Sequence, residues 1–239
     1  MLETALHGWT PGPLQPRLGD GAVHVWRANL DEVAEDMGEL LDEQERDRAG
    51  RMLHEHTRGR WSRSRGLLRV LLGRYLRCDP RSLEFVTGPH GKPELAVEAG
   101  RHAAQAERRR TGSPRLAFNL SHSNDAALYA FSESAAVGVD VERARSSRNE
   151  VAIARRVLGS AEAERLEALD PQARAREFRR AWVRYEAELK CLGEGIGRSV
   201  ESGRPRGLWT AELEMGPDAA GAVASEHPAR ELRCWEWRG

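Results

Sequence analysis

Two kinds of periodicity run through this 239-residue chain without taking regular turns. Apolar and polar residues alternate at Val23–Leu30, Leu83–Val86, Ala117–Leu120, Ala126–Phe131 and Val137–Glu142, and near Leu208–Leu213 and Leu232–Trp237, which predicts strands. Three-and-four spacing predicts a helical region ending at Leu76, where Asp79–Pro80 stops it, and helices at Glu150–Leu158, Glu162–Leu169 and Arg174–Leu192. Gly193, Gly195 and Gly197 close the last of these. Strands mixed with long helices, but not alternating with them one by one, define an α+β fold. The proline-containing first twenty residues read as an extended, loosely held arm. Val97–Arg115, rich in Ala, Arg and Glu, reads as an inserted surface excursion.

Apolar residues make up 40% of the chain and charged residues 31%, the composition of a protein with a heavily charged surface. No apolar run approaches the length of a membrane span, and MLETALHGWTPG lacks the basic start and apolar core of a signal peptide. Cys78, Cys191 and Cys234 are odd in number and widely spaced, so the expectation is reduced, mostly buried thiols in a cytoplasm. A net charge of zero argues against a general nucleic-acid or membrane binder. All but two of the 37 basic residues are arginine, and the two lysines are Lys92 and Lys190. A retained lysine marks a place where a compact ammonium serves and a forked guanidinium does not.

Asp140 and Glu142 stand two apart in a predicted strand, so both carboxylates share one face. Side by side they repel unless a positive charge lies between them, and a hard cation such as Mg²⁺ fits that need. In Trp182–Lys190, WVRYEAELK, the spacing makes Trp182, Tyr185, Leu189 and Leu192 the buried stripe. Glu186 and Lys190, four apart, share the neighbouring face. A carboxylate there can bind metal or take a proton, and an ammonium can hold a phosphate. In Phe118–Ser123, FNLSHS, Ser121 and His122 follow a strand and can donate to phosphate oxygens. These residues point to a magnesium-dependent enzyme acting on a phosphate ester.

Gly88–Pro93 with its G-K-P, FNLSHS, VGVDVE, VLGSAE and WVRYEAELK, in this order, resemble the Sfp-type 4′-phosphopantetheinyl transferases. The basic segments Arg48–Arg51 and Arg65–Arg69 look like the family's basic helix. The resemblance covers about Val23 to Ile196. It implies two similar α+β subdomains about a pseudo-twofold axis, residues 1–134 and 135–239, with the active site in the cleft between them. It implies an enzyme that moves the phosphopantetheine arm of coenzyme A to a serine of an apo acyl or peptidyl carrier protein, releasing adenosine 3′,5′-bisphosphate. Such an enzyme works as a cytoplasmic monomer in polyketide and non-ribosomal peptide biosynthesis. By position, Asp140, Glu142 and Glu186 would hold Mg²⁺. Glu186 would also take the serine proton, while Lys190 and His122 would steady the attacked phosphate. Arg48, Arg51, Arg65, Lys92, Ser121, His122 and Lys190 would contact coenzyme A. Glu162 matches a carboxylate of structural or carrier-facing role. Two departures stand out: Tyr185 occupies the place of the family's usual lysine, and the 97–115 excursion is longer than usual.

Two other readings compete. A magnesium-dependent exonuclease also uses a D-x-E pair, but WVRYEAELK is not part of that pattern. A non-catalytic Arg-rich binding module would bind in a salt-sensitive way without turnover, and leaves the three acidic residues unexplained.

Overall fold

A computed structural model describes residues 8–87, 93–96, 116–133, 135–144, 149–194 and 207–239. Lys92 with the rest of the 88–92 turn, the 97–115 excursion, and Gly195 and Gly197 lie outside them. The fold is α+β, as the mixed periodicity predicts. One sheet has the order β1 (Thr10–Pro11), β10 (Glu231–Glu236), β2 (Ala22–Asn29), β6 (Ala126–Ser132), β5 (Ala117–Ser123). A second, antiparallel sheet has the order β7 (Val137–Arg143), β9 (Ala219–Ser225), β8 (Trp209–Leu213). β3 (Phe85–Thr87) and β4 (Pro93–Leu95) form a small ribbon. The chain's last strand, β10, crosses back into the first sheet and runs parallel to both β1 and β2.

The α-helices among the described residues are α1 (Glu43–Gly50), α2 (Glu55–Leu76), α3 (Glu150–Val157), α4 (Ser160–Glu167) and α5 (Pro171–Leu192). The single helical region expected before Leu76 is divided by a break at residues 51–54. The Asp42 side chain caps α1 by accepting from Glu45 N, and the Glu45 carboxylate returns the bond to Asp42 N. Glu45 also receives Arg65 Nε (2.8 Å) and Arg69 Nε (2.7 Å), so the capping residue fastens α1 to α2.

Strand alternation divides the core. On one side of the first sheet, Trp26, Tyr129 and Phe131 pack with Leu67, Leu68, Leu71 and Leu72 of α2. On the other, Val23, Val25, Leu128 and Ala130 meet Val137, Val139, Val141 and Val223 of the second sheet. The far face of the second sheet receives α5, with Val183, Ala187 and Cys191 against Ala220, Ala222 and Ala224.

The described part of the arm is held against the fold rather than loose. Thr10–Pro11 pairs with β10, Trp9 packs on the core between the sheets, and the Arg27 guanidinium lies 4.8 Å over its ring. Strand β9 was not expected from its sequence, AAGAVAS. Covered on both faces, it lacks alternation, and alanine and glycine carry little strand propensity. The stripe expected along α5 also differs. Tyr185 and Leu189 are buried, but Leu192 is 40% exposed, and residues 185–189 are all buried in succession. Near its C-terminal end this helix is buried beyond the one face that packs on the second sheet, and Lys190 reaches Ser121 at the first sheet's edge.

Candidate active site

Strand β7 is the edge of the second sheet and β5 the edge of the first, and the two edges meet. No backbone ladder joins them. Side chains of β5 do so instead. Asn119 Oδ1 accepts the Val139 amide (2.9 Å), Ser121 Oγ donates to Asp140 Oδ1 (2.7 Å), and Ser123 Oγ donates to Glu142 Oε2 (2.8 Å). The Arg143 amide in turn donates to Ser123 Oγ (3.1 Å). Edge amides that would otherwise be orphaned thereby find acceptors. The expectation that Ser121 and His122 follow a strand is corrected: β5 continues through Ser123.

Period two turns Gly138, Asp140 and Glu142 away from the valine core and toward α5. A Cβ on Gly138 would lie 2.1 Å from Ala187 O and 2.3 Å from Cys191 N. Glycine is required here because the helix backbone rests directly on the strand. That close approach brings Glu186 and Lys190 to Asp140. Lys190 Nζ donates to Asp140 Oδ1 (2.6 Å) and to Ser121 Oγ (3.0 Å). The single Ser121 hydroxyl hydrogen is thus committed to Asp140 while its oxygen accepts from the ammonium.

Asp140 and Glu186 are 4% and 5% exposed. Asp140 Oδ2 and Glu186 Oε1 are buried with no hydrogen-bond partner. Burial raises the pKa of Asp140, against the opposing pull of Lys190. Burial first, then the charges of Asp140 and Glu142, raise Glu186 to about 7, with Lys190 opposing. Among the described residues, no three His, Cys, Asp or Glu side chains are already gathered at a common metal-ligating point. Lys190 occupies one side of Asp140 instead.

His122 alternates to the other side of β5 and its surface is open to solvent. The protein crowded around the ring, and then the Lys190 charge, lower its pKa and favour the neutral imidazole. Arg48, in the last turn of α1, and Arg51, just after it, are exposed, Arg48 lying 5.6 Å over the Trp61 ring. Arg65 is buried, paired with Glu45 (2.6 Å) and placed 5.0 Å over Phe85. Tyr185 is buried with its ring 6.4 Å from Trp182. Arg184 pairs with Glu212 (3.0 Å), away from the cluster. Glu162 pairs with Arg165.

The structure therefore brings together Asp140, Glu186, Lys190 and Ser121, with Glu142 one register step along, while His122, on the other side of β5, lies within electrostatic reach of Lys190. Three residues that hold this site were not foreseen: Gly138, Asn119 and Ser123. The signal for Asn119 and Ser123 was present as small polar residues at every second position of FNLSHS, opposite a strand whose own acidic residues also recur every second position.

A cluster of carboxylates set against one ammonium is the equipment of a phosphoryl-group enzyme. The sequence profile described as the 4′-phosphopantetheinyl transferase superfamily matches residues 136–237. The chain is 33% identical over 238 residues to the 4′-phosphopantetheinyl transferase HetI of Nostoc, an alignment covering 91% of this chain and 94% of that one. It is 33% identical over 149 residues to the 4′-phosphopantetheinyl transferase AcpT of Salmonella typhi, covering 62% of this chain and 68% of that one. The chain belongs to the 4′-phosphopantetheinyl transferase superfamily and is a transferase. No helix among the described residues is long and apolar enough to cross a membrane.

Proposed function

We propose that the chain is an Sfp-type enzyme that transfers the 4′-phosphopantetheine arm of coenzyme A to a serine of an apo acyl or peptidyl carrier protein. The observation that carries this reading is the pair of buried, unpartnered oxygens, Asp140 Oδ2 and Glu186 Oε1, beside Lys190. Three carboxylates near one ammonium leave an excess of negative charge, and oxygen donors of this kind fit a small hard cation. Asp140, Glu142 and Glu186 would hold Mg²⁺, which when bound neutralises charge on the pyrophosphate.

Glu186, with a pKa of about 7, accepts the proton of the incoming serine near neutral pH. The serine oxygen forms a bond to the phosphorus that carries the pantetheine arm. The bond from that phosphorus to the bridging oxygen breaks, and adenosine 3′,5′-bisphosphate leaves with the electron pair. Lys190, its ammonium held by Asp140 and Ser121, steadies the attacked phosphate. His122, largely neutral, donates one ring N–H to it. Arg48 and Arg51 meet the 3′-phosphate of the nucleotide. Lys92 serves the same nucleotide, and Arg65 supports it while paired with Glu45. In this reading residues 1–134 and 135–239 are similar halves about a pseudo-twofold axis, and the enzyme is a cytoplasmic monomer serving polyketide or non-ribosomal peptide synthesis.

The test is to incubate the protein with coenzyme A, MgCl₂ and apo carrier proteins of both types, and to weigh the carriers. A mass gain equal to the phosphopantetheine arm, absent with Asp140→Ala, supports the reading. No gain on any carrier with folded wild-type protein overturns it.

A further inference from the structure

The turn joining β5 to β6 grips two successive residues of β7. Asn124, at the turn, adopts a left-handed backbone with φ 55°, a conformation asparagine tolerates better than most residues. On one side of it Ser123 Oγ donates to Glu142 Oε2 (2.8 Å). On the other, both oxygens of Asp125 receive the Arg143 guanidinium, through Nε at 2.9 Å and through the second nitrogen. The Ser123 hydroxyl is buried, and its direction is fixed. Arg143 N donates to its oxygen (3.1 Å), so its one hydrogen goes to the carboxylate.

Glutamate has three side-chain torsions, and holding one such chain in a single arrangement forgoes much of its rotamer freedom. Glu142 is half-buried at the end of the seam, and among the described residues Ser123 is the side chain that hydrogen-bonds its carboxylate. We infer that Ser123 is a positioning residue for Glu142: its hydroxyl holds one carboxylate oxygen and so presents the other toward Asp140 and Glu186. Ser121 makes the equivalent bond to Asp140 one register step earlier, so two hydroxyls on one strand face set both acidic residues of β7. The inference rests on the magnesium reading given above.

The test uses the full chain loaded with coenzyme A, without carrier protein, and titrates MgCl₂ by calorimetry. Loss of a partner that orients a metal ligand typically weakens metal binding by roughly 10–100-fold, and Ser123→Ala is expected in that range. Its coenzyme A affinity measured in EDTA should stay at the wild-type value. Ser123→Thr keeps the hydroxyl on a strand-compatible side chain and should restore Mg²⁺ binding. Asn119→Ala loosens the same seam without touching a carboxylate, and should lower the melting temperature while weakening Mg²⁺ far less than Ser123→Ala does. Wild-type Mg²⁺ affinity in folded Ser123→Ala overturns the inference. So does an equal loss in Asn119→Ala, or a threonine that fails to restore binding. A wild type that takes up no Mg²⁺ overturns the metal reading itself.

Discussion

Glu186→Gln separates the cost of the catalytic carboxylate from its use. In the metal-free fold Glu186 has a pKa of about 7 against an ordinary 4.5. The folded protein therefore binds this proton more tightly than the unfolded chain does. Stability falls as pH rises through the window from 4.5 to about 7, and the full penalty stands above it. At about 1.4 kcal/mol per pH unit the difference amounts to about 3 kcal/mol. Lys190 is 29% exposed and Glu142 half-buried, so water reaches the cluster. Screening leaves about 2 kcal/mol. Glutamine removes the charge and keeps the shape. In EDTA at about pH 8 the variant should melt roughly 4–8 °C above wild type. At about pH 4 that advantage should vanish, because the wild-type carboxyl is then protonated in the fold. Carrier modification should be lost at both pH values. Thermal melting followed by circular dichroism reads the first two outcomes. A variant no more stable than wild type at pH 8, or equally stabilised at both pH values, would refute the reasoning that burial and neighbouring carboxylates hold Glu186 up.

Three further outcomes follow from the geometry. Gly138→Ala places a methyl group against the α5 backbone and should cost at least about 1–3 kcal/mol, with turnover falling too because Glu186 and Lys190 move with that helix; chemical denaturation and a kcat measurement check both. Lys190→Arg should fold normally yet lose most of its kcat, since one nitrogen now serves both Asp140 and Ser121 and a planar fork does not reproduce that point contact; full activity in a steady-state assay would contradict this. Arg69→Ala should cost about 3–5 kcal/mol in urea unfolding, because the fully buried guanidinium serves Glu45, Asp42 and the Leu83 carbonyl.

The acidic pair and the α5 motif were legible because each carries its own period: two for Asp140 and Glu142, four for Glu186 and Lys190. Their joining was not, since it depends on a glycine letting a strand touch a helix backbone, and no local pattern says which helix will approach. Strand β9 was invisible for the same reason that it fits: small residues under a close helix leave no alternation to read. Leu192 was placed in the buried stripe because spacing assumes that one face of a helix is covered. Here burial instead runs through residues 185–189 in succession and returns at Cys191, leaving Leu192 exposed. The arginine-rich stretch showed its charge but not its division of labour. Arg65 and Arg69 turn inward to Glu45, whereas Arg48 and Arg51 face water, and only the capping box of α1 distinguishes them.

The return of β10 into the first sheet sets the order in which the molecule is assembled. Strand β2 has β6 on one side and β10 on the other, so its second edge stays bare until residues 231–236 have been made. During synthesis at about 5–20 residues per second, the interval between β6 and β10 lasts on the order of ten seconds. Through that time an almost wholly buried strand waits with an open row of amides and carbonyls. The first sheet is consequently completed only after β10 has been made, and the nascent chain is most prone to aggregation while β2 remains unpaired on that side.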